Sequence, residues 1–167
     1  MAPGRESRFR AMAVEATPVI GAYLRRRLYP LDVADLDDLV EDVLIVAWRR
    51  FDDIPSDATI PWLIGVARNV LRNAQRKHRR MLAAQDRVRP VVSTAPAEES
   101  VVADEGVRQA LAALSDDDRE ILLLHAWDGR SAAEIAAVFH LTTNAAAVRL
   151  SRAEARFRRY FTDVAVE

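Results

Sequence analysis

Leu114-Ser-Asp-Asp-Asp-Arg-Glu-Ile-Leu-Leu-Leu124, then Ser131-Ala-Ala-Glu-Ile-Ala-Ala-Val-Phe139, then His140-Leu-Thr-Thr-Asn144 running on to Phe161, decide how the C-terminal part of this chain folds. Ser115 and Ser131 each stand three residues ahead of an acid, Asp118 and Glu134, which predicts helix N-termini capped reciprocally by hydroxyl and carboxylate. Each pair opens an apolar run. The first, through Ile121 and Leu124, stops at Asp128-Gly129, where glycine can take the left-handed cap conformation. The second, with Ile135, Ala136, Val138 and Phe139, lasts two turns before His140 to Thr143 interrupt it, and a longer helix follows from near Asn144. A short helix, a tight turn and a longer helix make helix-turn-helix spacing, which offers the last helix to a DNA major groove.

On that last helix Arg149, Arg152, Arg156 and Arg159 recur at steps of three and four, so they share a face, while Val148, Leu150, Ala153, Phe157 and Phe161 are expected to pack inward. A guanidinium fork matches phosphate oxygens or the two major-groove acceptors of guanine. The expectation is a DNA-binding segment.

Working back along the chain, Val107 to Leu114 predicts one more helix of the same unit. Before it, Val88 to Glu99 holds Pro90, Pro96, small residues and no helical stripe, the composition of a linker. The N-terminal part shows three helical patterns. Thr17-Pro18 reads as an N-cap and a first-turn proline launching a helix to Leu28, with Ile20, Leu24 and Leu28 on one face. A second pattern runs from Val33 or Ala34 to about Phe51, with Leu36, Leu39, Val40, Val43, Leu44, Ala47 and Trp48 as its apolar stripe and Asp35, Asp38 and Asp42 outside. A third opens at Pro61-Trp62, carries Leu63, Ile64, Ala67 and Leu71 toward a core, and runs out into Arg72, Arg76, Lys77, Arg79 and Arg80. Its first half is expected to pack and its second half to meet an anion.

Net charge is −1 over 167 residues, so the whole-molecule field says nothing about nucleic acid, but charge is segregated along the chain. Asp32 to Asp42 holds six acids and no base, whereas Arg68 to Arg89 holds eight bases against Asp86 alone. The length suits two small helical cores better than one large one. The chain has no cysteine, which excludes disulfides, thiolate metal sites and a thiol nucleophile. Met1 to Arg10 has no apolar run behind its bases, and no stretch reaches membrane-spanning length. A soluble, cytoplasmic protein is expected.

No catalytic constellation stands out. Asp37, Asp38, Glu41 and Asp42 lie on an amphipathic helix without a nearby histidine, and His78, His125 and His140 sit at no ligand spacing. Phosphate loops, dinucleotide fingerprints and nucleophile elbows are missing, so no enzyme, metal or cofactor is expected.

Three blocks, in order, resemble the sigma-70 family of transcription initiation factors, specifically its small extracytoplasmic-function (ECF) group. Asp37-Asp-Leu-Val-Glu-Asp-Val-Leu-Ile-Val-Ala-Trp-Arg49 resembles region 2.2. Pro61-Trp-Leu-Ile-Gly-Val-Ala-Arg-Asn-Val-Leu71 with Arg76-Lys-His-Arg-Arg80 is similar to regions 2.3 and 2.4. Leu114 to Leu124, with Gly129, Ser131, Glu134, Ile135, Ala136 and Arg149-Leu-Ser-Arg-Ala153, is similar to region 4. The resemblance covers Pro18 to Arg80 and Val107 to Phe161. It implies an all-α chain of two small helical domains: region 2 at 1–84, a flexible linker at 85–106 without a helical region 3, and region 4 at 107–167.

The same resemblance implies roles. Asp38, Glu41, Asp42 and Trp48 would dock on core RNA polymerase, whose basic coiled coil an acidic amphipathic helix suits. The loop Asp52 to Ile60 would capture a base flipped out of the minus-ten element, supported by Asn69, while Arg72, Arg76, Lys77, Arg79 and Arg80 follow the strand backbone. Trp62 is read as core. Thr143, Asn144, Arg149, Arg152 and Arg156 would contact the minus-thirty-five duplex, with Arg152 foremost. His140 replaces the family's turn glycine, and Ala147 replaces a basic residue early in the recognition helix. The expected partners are core RNA polymerase, promoter DNA and an anti-sigma factor. The alternative is a stand-alone helix-turn-helix regulator that never enters polymerase.

Overall fold

The computed structural model describes residues 4–85 and 105–165, and every regular element among them is helical. The chain forms two compact units, Met1–Ala97 and Glu98–Glu167. Most of the expected linker, 86–104, lies outside the described residues.

In the first unit, α1 (Arg5–Arg25), α2 (Leu36–Arg49) and α3 (Thr59–Gln85) pack pairwise against one another. Their apolar stripes close a core of Ala16, Ile20, Tyr23 and Leu24 from α1, Leu36, Leu39, Val43 and Ala47 from α2, and Leu63, Ile64, Ala67 and Leu71 from α3. The expected helix start at Thr17-Pro18 is corrected, because α1 begins at Arg5 and Pro18 lies inside it. An interior proline forfeits one backbone bond and costs on the order of 3 kcal/mol. Tertiary packing offsets that here: Ala16 is fully buried and Phe9 meets Trp48 and Phe51 edge-on, with ring centroids 5.0 and 5.5 Å apart.

Asp32 starts the second helix with a capping box, its carboxylate accepting from the Ala34 amide at 2.9 Å while the Asp32 amide donates to Asp35 at 2.9 Å. A 3-10 turn, Val33–Asp35, leads into α2. The connection before it is fastened to α3 by Gln75, whose Nε2 donates to the carbonyls of Arg27 and Tyr29 at 2.9 and 2.8 Å. After α2 a second 3-10 turn, Phe51–Asp53, opens the loop that leads to α3.

In the second unit, α4 (Glu105–Ala112), α5 (Asp116–Ala126) and α6 (Ala132–Phe139) all pack on α7 (Thr143–Ala165). Arg119 ties α4 to α5 by donating to the carbonyls of Leu111 and Leu114 at 2.8 and 3.1 Å. Such carbonyls at a helix end have no intrahelical partner, and a guanidinium satisfies them. The Ser131 box forms as expected: the Glu134 amide donates to the Ser131 hydroxyl at 3.2 Å and the Ser131 amide to the Glu134 carboxylate at 2.9 Å. Gly129 takes the left-handed conformation expected of it, with φ +65°.

Two local expectations need correction. Ser115 accepts from the Asp118 amide at 3.2 Å, but no return bond from Asp118 closes that box. Asp118 is instead buried and turned toward α7. Val148, expected to pack inward, is 41% exposed, because the buried face of α7 follows Ala146, Leu150 and Ala153, about half a turn away.

Candidate nucleic-acid interface

The helix-turn-helix consists of α6, the turn 140–142 and α7. His140 closes α6 in the left-handed conformation, φ 56° and ψ 42°, where a residue without a Cβ is at ease. Its amide reaches the Ala136 carbonyl, and so does that of Leu141, at 2.9 Å. The Thr142 hydroxyl then accepts from the Ala145 amide at 3.1 Å, which starts α7. The turn geometry needed to present α7 is therefore present despite the missing glycine.

Along α7, Thr143, Asn144, Arg152 and Arg156 are exposed and Arg149 is half-buried. Asn144, Val148, Arg149, Arg152 and Arg156 line one side of a cleft of about 510 Å³, and Ser115 and Asp118 of α5 line the other. The arginines are not equivalent. Arg149 donates to Asp117 at 3.3 Å, with its Nε 3.8 Å from Asp118. Arg156 forms an ion pair with Asp118. Arg152 lies between them, exposed. The cleft thus carries an anchored arginine on each side of an exposed one.

Glu134 illustrates how the preceding turn is held. Burial alone would push its carboxyl up, but hydrogen bonds from the Ser131 amide, the Arg130 guanidinium and the Ser131 hydroxyl, with the charge of Arg130, hold it below the usual carboxylate range. Arg130 Nη1 lies 2.9 Å from it.

The first unit offers two further faces. On α2, Asp38, Glu41, Asp42, Ile45 and Trp48 recur at helical spacing and all are exposed, Ile45 by 44% and Trp48 by 38%. This face is acidic at its start and apolar at its end. On α3, Asn69, Arg76, Lys77, Arg79 and Arg80 are exposed and Arg72 is half-buried. Arg76 donates to Asn73 at 3.3 Å. Trp62, expected in the core, is half-buried beneath the Arg50 guanidinium, 5.4 Å from the ring centroid.

Sequence reasoning missed two parts of this arrangement. The Asp118 contacts join residues 32 and 38 positions away from Asp117 and Asp118, so no local pattern announces them. Arg5 and Phe9, which reach the end of α2 from the start of α1, lie in Met1 to Arg10, where no local helix signal stands out. The periodicity of aromatic Phe9 with Ala16 and Ile20 was the one available signal.

These features define an all-helical, two-unit nucleic-acid-binding protein with a helix-turn-helix in its second unit. Comparison with known proteins narrows that class. Sigma-70 region 2 matches residues 16–81 and sigma-70 region 4 matches residues 104–157. The ECF RNA polymerase sigma factor EcfG of Rhodopseudomonas palustris is 30% identical over 122 residues, covering 72% of this chain and 67% of that protein. The probable RNA polymerase sigma factor RfaY of Xanthomonas campestris is 31% identical over 136 residues, covering 76% of this chain. The matched stretch spans only 34% of RfaY. Among solved structures, the sigma factor RpoE of Bartonella quintana, crystallised with the anti-sigma factor NepR, superposes with a TM-score of 0.62 at 26% identity, covering 92% of this chain and 96% of that one. The chain belongs to the sigma-70 family of RNA polymerase sigma factors, in its ECF group. No described helix is long and apolar enough to cross a membrane.

Proposed function

We propose that this chain docks on core RNA polymerase through Asp38, Glu41, Asp42 and Trp48, opens the minus-ten element with the α2–α3 loop, Asn69 and the basic half of α3, and reads the minus-thirty-five duplex with Thr143, Asn144, Arg149, Arg152 and Arg156. The observation that carries the reading is the separation of exposed charge between neighbouring helices of one unit. Acids and Trp48 occupy the outer face of α2, and arginines and Lys77 occupy the far half of α3. A duplex-only regulator has use for the second face but not for the first. An acidic helix face that ends in exposed Ile45 and Trp48 offers charge and apolar area to one partner, and complementary charge would steer a basic partner to it.

In this reading Arg152 makes the base-edge contact, while Arg149 and Arg156, anchored on α5, bind phosphates to set register. Opening the minus-ten element costs a few kcal/mol, which base capture and backbone charge offset. The work takes place in the cytoplasm with the transcription machinery. An anti-sigma partner, of the kind that RpoE of Bartonella quintana binds in its crystal structure, would hold the factor inactive.

Reconstitution tests the proposal. Purified chain added to core polymerase should yield promoter-specific run-off transcripts, and charge reversal at Glu41 and Asp42 should weaken polymerase binding without weakening duplex binding. Tight operator binding by the chain alone, with no transcripts from the reconstituted mixture, would favour a stand-alone regulator.

A further inference from the structure

The first residues of α1 lie outside the stretch that region 2 matches, which begins at residue 16, yet they grip the other end of the unit. Arg5 Nη2 donates to the Trp48 carbonyl at 2.7 Å, and Arg5 Nε lies 3.4 Å from Asp52. Its guanidinium sits 4.2 Å from the Trp48 ring centroid and 5.7 Å from that of Phe51. Phe9 meets the same two rings edge-on, and the Arg8 guanidinium lies 5.7 Å from Phe51.

The Trp48 carbonyl falls among the last four of α2, which the helical ladder leaves open, and a cation there also suits the negative end of the helix dipole. Arg5 therefore acts as a cap supplied from 43 residues away. What it caps matters, because Phe51 and Asp52 form the 3-10 turn from which residues 54–58 leave for α3. One side chain fixes both the last turn of α2 and the first turn of the loop. Two aromatic contacts from Phe9 hold the same pair of rings from beside it.

We propose that Arg5 and Phe9 are positioning residues for base capture, setting the take-off point of the α2–α3 loop so that it is preorganised to receive an unpaired minus-ten base. The proposal rests on the reading of that loop as the capture loop. A preorganised loop captures without first being ordered, so the gain appears in promoter opening beyond any change that reaches polymerase affinity through Trp48. Phe9 provides the apolar wall and Arg5 the fork. Lysine at position 5 would keep the charge but lose the geometry that reaches Trp48 and Asp52 together.

The test uses full-length chain in reconstituted holoenzyme, comparing parent, Arg5→Ala, Arg5→Lys and Phe9→Ala. Opening is followed on duplex promoters in which each minus-ten nucleotide of the captured strand is replaced in turn by an abasic one. The parent should lose opening sharply at one position. Arg5→Ala and Phe9→Ala should open the intact promoter about tenfold more slowly at saturating polymerase, Arg5→Lys should fall between, and any fall in core polymerase affinity, passed on through Trp48, should be much smaller than the fall in opening. At the critical position the abasic substitution should cost the Ala variants little more, because the two defects act on one event. Multiplying losses, or a matching fall in polymerase affinity, would show that Arg5 and Phe9 merely hold the unit together and would overturn the proposal. A parent insensitive to every abasic site would instead remove the capture reading itself, and the proposal with it.

Discussion

Arg156 of α7 and Asp118 of α5, 38 residues apart in sequence, form an ion pair in which the carboxylate is buried and the guanidinium is half-exposed. Asp118 also lies 3.8 Å from Arg149 Nε, so one acid holds two of the arginines that line the cleft between α5 and α7. An acid at that place opposes phosphate binding only if the arginines are counted as free charges. Held on one side, each presents its remaining N–H groups in a fixed direction, and the net charge of the cleft is kept down. Asp118→Asn should therefore loosen the arginines and raise the charge together. Duplex binding by the full chain should show a salt dependence steeper by about one to two released counterions, with non-specific affinity raised more than promoter affinity. Loss of the pair should cost about 1–3 kcal/mol of stability. An unchanged salt slope would mean that Asp118 serves α5–α7 packing alone.

Arg152 gives the contrasting case. It is exposed between the two anchored arginines, so its truncation to Ala should leave thermal stability within about 0.5 kcal/mol. If it reads a guanine edge, Arg152→Ala should cost about 1–3 kcal/mol at one base pair and relax the preference there. Binding measured across a set of minus-thirty-five variants decides the matter. A uniform loss on every sequence would reassign Arg152 to a phosphate.

How much of this was legible beforehand depended on whether the deciding interaction was local. The Ser131–Glu134 box, the Gly129 cap and the stripe of α2 from Leu36 to Ala47 are set by residues within a turn or two of each other, and they stand where periodicity and capping chemistry place them; Trp48, expected at the end of that stripe, is exposed instead. The start of α1 was misplaced because Thr17-Pro18 carries the local marks of a helix beginning, while what continues the helix backward is Phe9 on Trp48 and Phe51. Asp118 carried the marks of a capping acid for the same reason. Its partners, Arg149 and Arg156, become neighbours only when α7 folds across α5. At Val148 the apolar residue type was right for a core, but the phase of α7 was set by the small residues Ala146 and Ala153, which allow close helix approach. The outer charges of α2 and α3 were readable as faces, while their partners came from the family resemblance and not from the charges themselves.

His140 adopts φ 56° without being glycine. A residue with a Cβ in that region carries a strain of about 1 kcal/mol, although histidine tolerates it better than most. His140→Gly should therefore stabilise the second unit by up to about 1 kcal/mol, less the extra entropy glycine loses on folding. Gly129→Ala should do the reverse at φ +65°, costing about 1 kcal/mol, since open space surrounds the added Cβ and only the backbone conformation opposes it. Hydrogen exchange of α5 and α6 amides in the full chain would read both. If His140→Gly destabilises, the imidazole makes a contribution of its own at the turn.

The Ser131–Glu134 box makes a prediction with a definite pH sign. The Glu134 carboxyl titrates below its ordinary range in the folded chain: burial opposes this, but the Ser131 amide, Arg130 and the Ser131 hydroxyl outweigh it. A carboxyl whose folded pKa is depressed contributes stability that is present above its unfolded pKa and is lost as pH falls through the folded one. Glu134→Gln should thus cost about 1 kcal/mol at neutral pH, from the weakened bond to the Ser131 amide and the lost charge at the α6 N-terminus. That penalty should shrink as the pH falls through the acid range, because the parent loses the same charge. Ser131→Ala removes the other half of the box, costs a similar amount, and should keep most of its penalty in acid, where the hydroxyl still accepts from the Glu134 amide. Protection of the Glu134 and Ile135 amides, followed by hydrogen exchange from neutral to acid pH, separates the two variants. Parallel curves for Glu134→Gln and the parent would show that Arg130 and Ser131 do not stabilise the ionised carboxylate in the folded chain.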